Sequence, residues 1–289
     1  MILGSVMYDC CFLVLLYNKE FCESDTLSTL LPCDNAKVVI WNNGSYPLKS
    51  KDVSSLEEMG LDVSFVETLH NESLSVIYNR FLNEYSAEKY VILDDDSSLN
   101  EEYLKSISEV KSDQVGMPII QSHGRITSPR INRKLYSGGD SVIQETDKVS
   151  TIGSGLVIGC DVINKLIVKY GSVFDERFYF YGVDTTFCFR LFDSNLTKHI
   201  EIIPGFNHQL SRLEIEEDLL SDFRRLERSY DMGLTMRYYN YKSLGSNFNK
   251  VIKLGLKSVY SALFRKKTKI LFFHFLRALV LGKHYKDLN

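Results

Sequence analysis

Three consecutive aspartates, Asp94, Asp95 and Asp96, follow the apolar run Tyr90-Val-Ile-Leu93, and another carboxylate, Asp184, stands alone in an aromatic stretch further on. Adjacent carboxylates repel one another, so a fold keeps such a cluster at low cost only where a hard cation or hydrogen-bond donors neutralise it. Mg2+ or Mn2+ accompanied by a diphosphate fits. Such an ion retains several waters and is held by one or two carboxylates together with phosphate oxygens. The competing reading is a solvated acidic turn that caps a helix beginning near Asn100. The buried strand immediately before the turn favours the metal.

Asp184 lies in Phe178-Tyr-Phe-Tyr-Gly-Val-Asp-Thr-Thr-Phe-Cys-Phe-Arg190. A carboxylate surrounded by rings tends toward a raised pKa, which suits a general base that takes a proton from a hydroxyl. Arg190, six residues on, offers the plainer alternative of a structural ion pair. His208, after the strand Ile200–Ile203 and the turn Pro204-Gly205, is a candidate metal or phosphate ligand, set against the commoner case of a lone, satisfied histidine. Asn42, Asn43 and Gly44 offer groups for a base or ribose, although Asn-Gly is first of all a turn signal.

These groups need elements to hold them. Cys11-Phe-Leu-Val-Leu-Leu-Tyr17 and Lys37-Val-Val-Ile-Trp41 are continuous apolar runs of strand length, the second ended by Asn42-Asn43-Gly44-Ser45. Leu61–Leu69 reads as a third strand and Tyr90–Leu93 as a fourth, with a helix over 74–85 that buries Leu74, Ile77, Tyr78, Phe81 and Leu82. Runs apolar on both faces imply parallel strands covered by helices. The alternation predicts an α/β, doubly wound, mostly parallel sheet whose ligand crevice lies beyond the carboxyl ends of its strands. Tyr17-Asn18, Asn42–Ser45 and Asp94–Asp96 all fall at such ends. Residues 116–150, rich in Gly, Ser, Arg and Pro, predict loops and short strands able to close over a substrate. A strand around Gly155–Ile158 and a helix near Val162–Tyr170 follow. Ile215, Leu219, Phe223, Leu226 and Tyr230 fall at helical spacing, so an amphipathic helix leads out of the α/β part.

The 289 residues, 44% hydrophobic and 12% aromatic, suffice for one large α/β domain with an appendage. A net charge of −3 makes no general case for a nucleic-acid partner. It conceals an asymmetry, because residues 250–286 carry ten Lys or Arg and no acid; with Asp287 the tail nets +9, which leaves −12 on residues 1–249. The six cysteines form no CxxC pair and have no histidine at zinc spacing, and the apolar run Cys10–Leu16 has neither a basic leader nor a cleavage site. Reduced thiols and a cytoplasmic protein are expected.

In order and spacing these segments resemble glycosyltransferase family 2, and within it the bacterial rhamnosyltransferase-like branch. Leu15-Leu-Tyr-Asn18 looks like the family's first strand end, and Trp41-Asn-Asn-Gly-Ser45 looks like its second, with Asn42 where an acidic residue commonly contacts the nucleotide base. Asn71 and Asn79 match the two asparagines that precede the metal motif, without the glycines usual between them. Leu93-Asp-Asp-Asp-Ser97 is similar to the Asp-x-Asp segment, and Gly153-Ser-Gly155 resembles the segment next to the acceptor site. Phe174-Asp-Glu176, followed by Val183-Asp184 and Arg190, looks like the "Phe-Asp-Glu … Val-Asp … Arg" signature of the branch, and Arg237-Tyr-Tyr-Asn-Tyr-Lys242 is like the Arg-Tyr-Tyr segment that follows its catalytic domain.

The resemblance implies a GT-A fold over residues 1–215, a helical region over 216–289, and an inverting single displacement. Asp184 is then the implied catalytic base. Asp96 is the implied ligand of Mg2+ or Mn2+, to which the position of His208 adds a second. Tyr17, Asn42, Asn43, Asn71, Asn79, Asp94 and Asp95 fall on the donor side, and Ser154, Gly155 and Arg190 on the acceptor side. The implied donor is a nucleotide sugar, dTDP-rhamnose or a UDP-sugar. The implied acceptor is an oligosaccharide or a growing lipid-linked glycan of O-antigen or capsule type.

The tail interleaves Val251, Ile252, Leu254, Leu256, Val259, Tyr260, Leu263 and Phe264 with lysines, and carries the basic cluster Arg265-Lys-Lys-Thr-Lys269. A basic amphipathic segment reads as binding an anionic membrane surface, each nearby Lys or Arg contributing about 1 kcal/mol. That suits a lipid-carried acceptor and a peripheral place on the inner face of the cell membrane. The alternative is a helical pair packed on the catalytic domain or on a second subunit of a homo-oligomer. Ile270–Leu281, interrupted by His274 and Arg277, is too short to span a bilayer. Two rival functions remain beside the enzyme. A non-catalytic nucleotide-sugar-binding scaffold of a polysaccharide assembly complex is opposed by the intact Asp-x-Asp segment and Asp184. A metal-dependent phosphohydrolase wants a nucleophilic Asp after the first strand, where this chain has Tyr17-Asn18.

Overall fold

The apolar runs form the middle of a seven-stranded sheet in a computed structural model that describes residues 7–31, 34–139, 142–208, 221–239, 244–264 and 267–288. β1 (Tyr8–Leu16), β2 (Ala36–Asn42), β3 (Asp62–Glu67) and β4 (Ala87–Asp94) pair in the order β4-β1-β2-β3, all parallel. Beyond β4 come Leu156–Gly159, antiparallel to both its neighbours, then Val115–Pro118 and, parallel to that, Ile200–Ile203. The sheet is mostly parallel, with one reversed strand. Cys10–Leu16 is buried along its whole length because β1 has neighbours on both edges and helices on its faces. The register aligns the carboxyl ends: Leu15 lies opposite Asp94, Leu16 opposite Asn42, and Asn42 opposite Glu67.

The helices are α1 (Asp25–Thr29), α2 (Ser54–Glu58), α3 (Leu74–Glu84), α4 (Glu101–Glu109), α5 (Cys160–Tyr170), α6 (Val183–Asp193), α7 (Asp222–Tyr238), α8 (Leu244–Leu263) and α9 (Phe272–Leu281). α3 buries Ile77, Tyr78, Phe81 and Leu82 as its spacing predicts. Leu74 is only half-buried. Ser73 and Ser75 are buried in its place, because their hydroxyls donate to the carbonyl of Phe178. α4 is capped by Asn100, whose side chain accepts from Tyr103 N. The helix therefore has its own cap and does not draw on the aspartates before it.

Packing divides the chain into two compact units, one of Met1–Glu72, Val76–Phe174 and Phe187–Gln209 and the other of Ser73–Ser75, Asp175–Thr186 and Leu210–Asn289. The first holds the sheet. Within it Asn79 on α3 closes a pair of hydrogen bonds with one residue, accepting from Phe174 N and donating to Phe174 O at 2.9 Å each.

The second unit is built on α7 and α9. The expected apolar row of α7 is only partly realised: Tyr230 is buried, Leu226 half-buried and Phe223 exposed, while Ile215 and Leu219 lie outside the described residues. Glu227, Ser229, Gly233, Leu234 and Met236 are its other buried residues. The reason is close contact with α9, where a Cβ on Gly233 would come within 2.6 Å of Ala278 Cβ. Glu227 accepts a hydrogen bond from Tyr285 Oη and faces His284, so its burial is compensated. The Asp175 and Arg-Tyr-Tyr motifs meet here. Asp175 is buried, pairs with Arg177 and accepts from Tyr239 Oη, while Arg177 lies 3.6 Å over the Tyr238 ring and Arg237 donates to the carbonyls of Leu279 and Val280. Asn240, Tyr241 and Lys242 lie outside the described residues.

Asn79→Ala orphans a buried N–H and a buried C=O. It should lower unfolding free energy by about 3 kcal/mol in urea titration. A change within error would show that Phe174 is held by something else.

Candidate functional site

β4 delivers Asp94 to its exposed end, and the turn Asp95-Asp96 leads into the short strand Ser97–Ser98. That strand pairs antiparallel with Asn207–His208, setting His208 opposite Ser97 and bringing the imidazole back onto the aspartate turn. His208 Nδ1 is 3.1 Å from Ser97 Oγ and 3.2 Å from Asp96 Oδ1, and its Nε2 is 3.7 Å from Asp94 Oδ2. One ligand atom from each of Asp94, Asp96 and His208 lies within 4.8 Å of the others. Asp96 Oδ1 is buried without a hydrogen-bond partner among the described residues. An orphaned carboxylate oxygen beside a second carboxylate and a buried imidazole is a donor set that fits a divalent cation. Burial, reinforced by the charge of Asp95 and opposed by Lys19, pushes the Asp96 pKa up to about 6.

Asp95 is engaged differently. Its carboxylate accepts from Lys19 Nζ at 2.7 Å and from Tyr17 N at 3.1 Å. Burial works against the Lys19 charge, but the hydrogen bond to Asp95 and the surrounding aspartates outweigh it and raise its pKa. The backbone of the turn is clamped by hydroxyls: Ser24 donates to Asp95 O, Thr26 to Asp94 O, and Ser154 Oγ accepts from Asp94 N while sharing a hydrogen bond with Ser97 Oγ. Lys19, Ser24, Thr26 and Ser97 escape a sequence reading. Only the proximity of Lys19 to a strand end hints at a role.

The asparagines of the donor-side set are scaffold to a large extent. Asn42 donates to Tyr46 O and Glu67 Oε1 and accepts from Gly44 N; Asn43 donates to Glu72 O and accepts from Thr68 Oγ1 and Glu72 N. Asn71, with φ of 53°, lies 3.5 Å from the Asn43 amide, and Asn79 serves Phe174. Tyr17 differs, since the residue is 50% exposed at the end of β1 while its backbone N–H is fixed by Asp95. Gly155 adjoins the turn's clamp at Ser154 and donates its N–H to Ile92 O. Arg190 donates to the carbonyls of Ser172 and Val173, with its guanidinium over Tyr170.

Asp184 belongs to the second unit, half-buried in the first turn of α6. Gly182, with φ of 84°, sets the helix start and accepts from Thr186 N. It must be glycine, because a Cβ there would collide with the carboxylate of Asp231. Asp231 on α7 is a further residue that sequence reasoning misses. Burial pushes its pKa up to about 6, with a Thr235 hydrogen bond opposing, Asp184 and Glu227 adding, and Lys250 opposing. Its signal was an acid on a helix read only for apolar spacing.

No family model matches the chain. Over 195 residues it is 24% identical to a dTDP-rhamnosyl transferase, RfbF, of Shigella flexneri, an alignment that covers 65% of this chain and 64% of that protein. The chain thus spans a little under two thirds of its relative's length. Among solved structures, S. aureus TarS residues 1–349 has a TM-score of 0.50 at 14% identity, over 83% of this chain and 68% of that one. The same protein in complex with UDP-GlcNAc gives 0.51 at 13% identity, over 83% and 69%. GalNAc-T7 with UDP, GalNAc and Mn2+ gives 0.52 at 10% identity, over 96% and 58%. The fold is shared with these proteins.

Manganese titrated calorimetrically into the full chain should bind, and Asp96→Asn or His208→Ala should weaken binding at least about tenfold. Because the ion needs the Asp96 carboxylate ionised, affinity should be level above the raised pKa of about 6 and fall by about tenfold per pH unit below it. Equal affinity in the variants would remove these residues from the ligand set.

Proposed function

We propose that this chain is an inverting glycosyltransferase that moves a sugar from a nucleoside-diphosphate donor to a hydroxyl of a lipid-linked surface glycan of O-antigen or capsule type, working at the inner face of the cell membrane. The observation that carries the reading is the Asp94, Asp96 and His208 cluster at the carboxyl end of a mostly parallel sheet, where α/β folds bind their ligands. The relative named for dTDP-rhamnosyl transfer supports a diphosphate-bearing donor and makes dTDP-rhamnose the first to test. The similar structures with UDP-GlcNAc and with UDP, GalNAc and Mn2+ support a UDP-sugar as the next.

Asp96 and His208, with Asp94 beside them, would hold the ion. We assign Mn2+ ahead of Mg2+ because an imidazole is among the donors. When bound, the ion neutralises charge that develops on the departing diphosphate. Asp94 and the exposed Tyr17 meet the nucleotide, and Asn42, Asn43 and Asn71 shape the strand-end loops around it. Asp95 and Lys19 lock the turn so that the ligands do not reorganise when the donor arrives. Ser154 and Gly155 stand on the acceptor side. Asp184 accepts the proton of the acceptor hydroxyl as its oxygen attacks the anomeric carbon; the bond to the diphosphate breaks on the opposite face, which inverts the configuration. Arg190 acts through the Ser172–Val173 backbone that it braces.

Nucleoside-diphosphate release that depends on both donor and acceptor tests this reading. Asp184→Asn should lower kcat by about a thousandfold with donor KM changed little, as expected for a general base. Asp96→Ala should impair both parameters. Turnover at the wild-type rate in Asp184→Asn would overturn the assignment of the base.

A further inference from the structure

α8 has more apolar surface than its packing consumes. Val251 and Leu254 are half-buried, Ser261 is buried, and Gly255 faces the ring of Phe272. A different set, Phe248, Ile252, Leu256, Val259 and Leu263, is between 43% and 75% exposed. At ~100° per residue these five positions fall within an arc of roughly 80°, and at ~1.5 Å per residue they run for about 22 Å. Exposed Lys253 and Lys257 lie to one side of that stripe, roughly 60° and 100° beyond Leu256, with exposed Tyr260 and Phe264 among them. α9 adds exposed Phe273 and Val280, with exposed Arg277 between them. Neither helix contains an acid. A continuous exposed apolar strip with a cationic border is a binding surface, since a helix that faced only water would not keep it.

We propose that this stripe is a membrane-contact surface: α8 lies in the plane of an anionic bilayer, with Phe248, Ile252, Leu256, Val259 and Leu263 among the acyl chains and Lys253 and Lys257, to one side, reaching the headgroup phosphates. Charge decides the occupant. A second copy paired isologously through this face would bring lysine rows together with no acid on either α8 or α9 to answer them. An anionic lipid surface supplies an apolar layer bordered by negative charge, and an interfacial helix of this composition sinks its apolar face only as far as the headgroup boundary. Crossing is not required, and no helix among the described residues is long and apolar enough to cross a membrane. The proposal rests on the reading of the chain as a membrane-side enzyme but not on its chemistry. It gives the lipid-linked acceptor a reason to meet the site in two dimensions.

Flotation of the full chain with vesicles tests it, using phosphatidylglycerol mixed with phosphatidylcholine against phosphatidylcholine alone. The wild type should float with the anionic vesicles and release from them at high salt. Leu256→Glu with Leu263→Glu should cut the bound fraction at least tenfold. Each of Lys253→Gln and Lys257→Gln should lower partitioning by about fivefold. All these variants should keep cooperative thermal unfolding and donor-dependent nucleoside-diphosphate release, which separates loss of this surface from failure of the proposed reaction. A wild type that ignores anionic vesicles overturns the proposal. So does a Leu256→Glu, Leu263→Glu chain that floats unchanged, or a dimer in sedimentation that the same substitutions dissociate while vesicles are not bound.

Discussion

Three carboxylates in sequence at the end of a buried strand repel one another, and much of the molecule's local architecture answers that repulsion. Asp95 is neutralised by Lys19 and pinned by Tyr17 N, which also fixes the end of β1. Ser24, Thr26 and Ser154 hold the turn's backbone, so α1 and the segment before Leu156–Gly159 are tied to the same few atoms. What remains is Asp94 and Asp96 facing His208, with an Asp96 oxygen that the described residues leave without a hydrogen bond. A cluster arranged in this way is costly without a cation and pre-formed for one.

The strands were legible because the middles of β1, β2 and β4 are buried on both faces and are therefore continuous apolar runs. The position of Asp94–Asp96 followed directly from where the fourth run stopped. What the sequence could not supply was direction. Asn42, Asn43 and Asn79 have amides that suit a ligand or a loop equally well, and the hydrogen bonds to Tyr46, Glu72 and Phe174 engage them in the chain itself. Arg190 stood six residues from Asp184, yet its guanidinium braces Ser172 and Val173. His208 could be suspected alone but not attached to Asp96, because the link runs through a strand pair with Ser97 from a distant part of the chain. On α7, apolar spacing pointed to Phe223 and Leu226, whereas contact with α9 turns Gly233, Ser229 and the Tyr285-bonded Glu227 inward. Local periodicity registers apolar side chains and is blind to a polar group whose partner arrives from elsewhere.

The second unit carries a different constraint. Asp231 is placed against Gly182 and within the field of Asp184, so the start of α6 has two carboxylates, one of them pushed toward its neutral form. The same unit concentrates the tail's positive charge and its exposed apolar stripe. Proton chemistry and membrane contact would then belong to one body, and ion and nucleotide binding to the other.

Anomalous diffraction at the manganese edge from crystals soaked with Mn2+ and a nucleoside diphosphate tests the central claim most directly. A single strong peak ligated by Asp96 and His208 is expected, with diphosphate oxygens completing its coordination and the nucleoside against Tyr17. Nucleotide bound at the strand ends with no peak at that cluster, or a peak ligated by other residues, would contradict it.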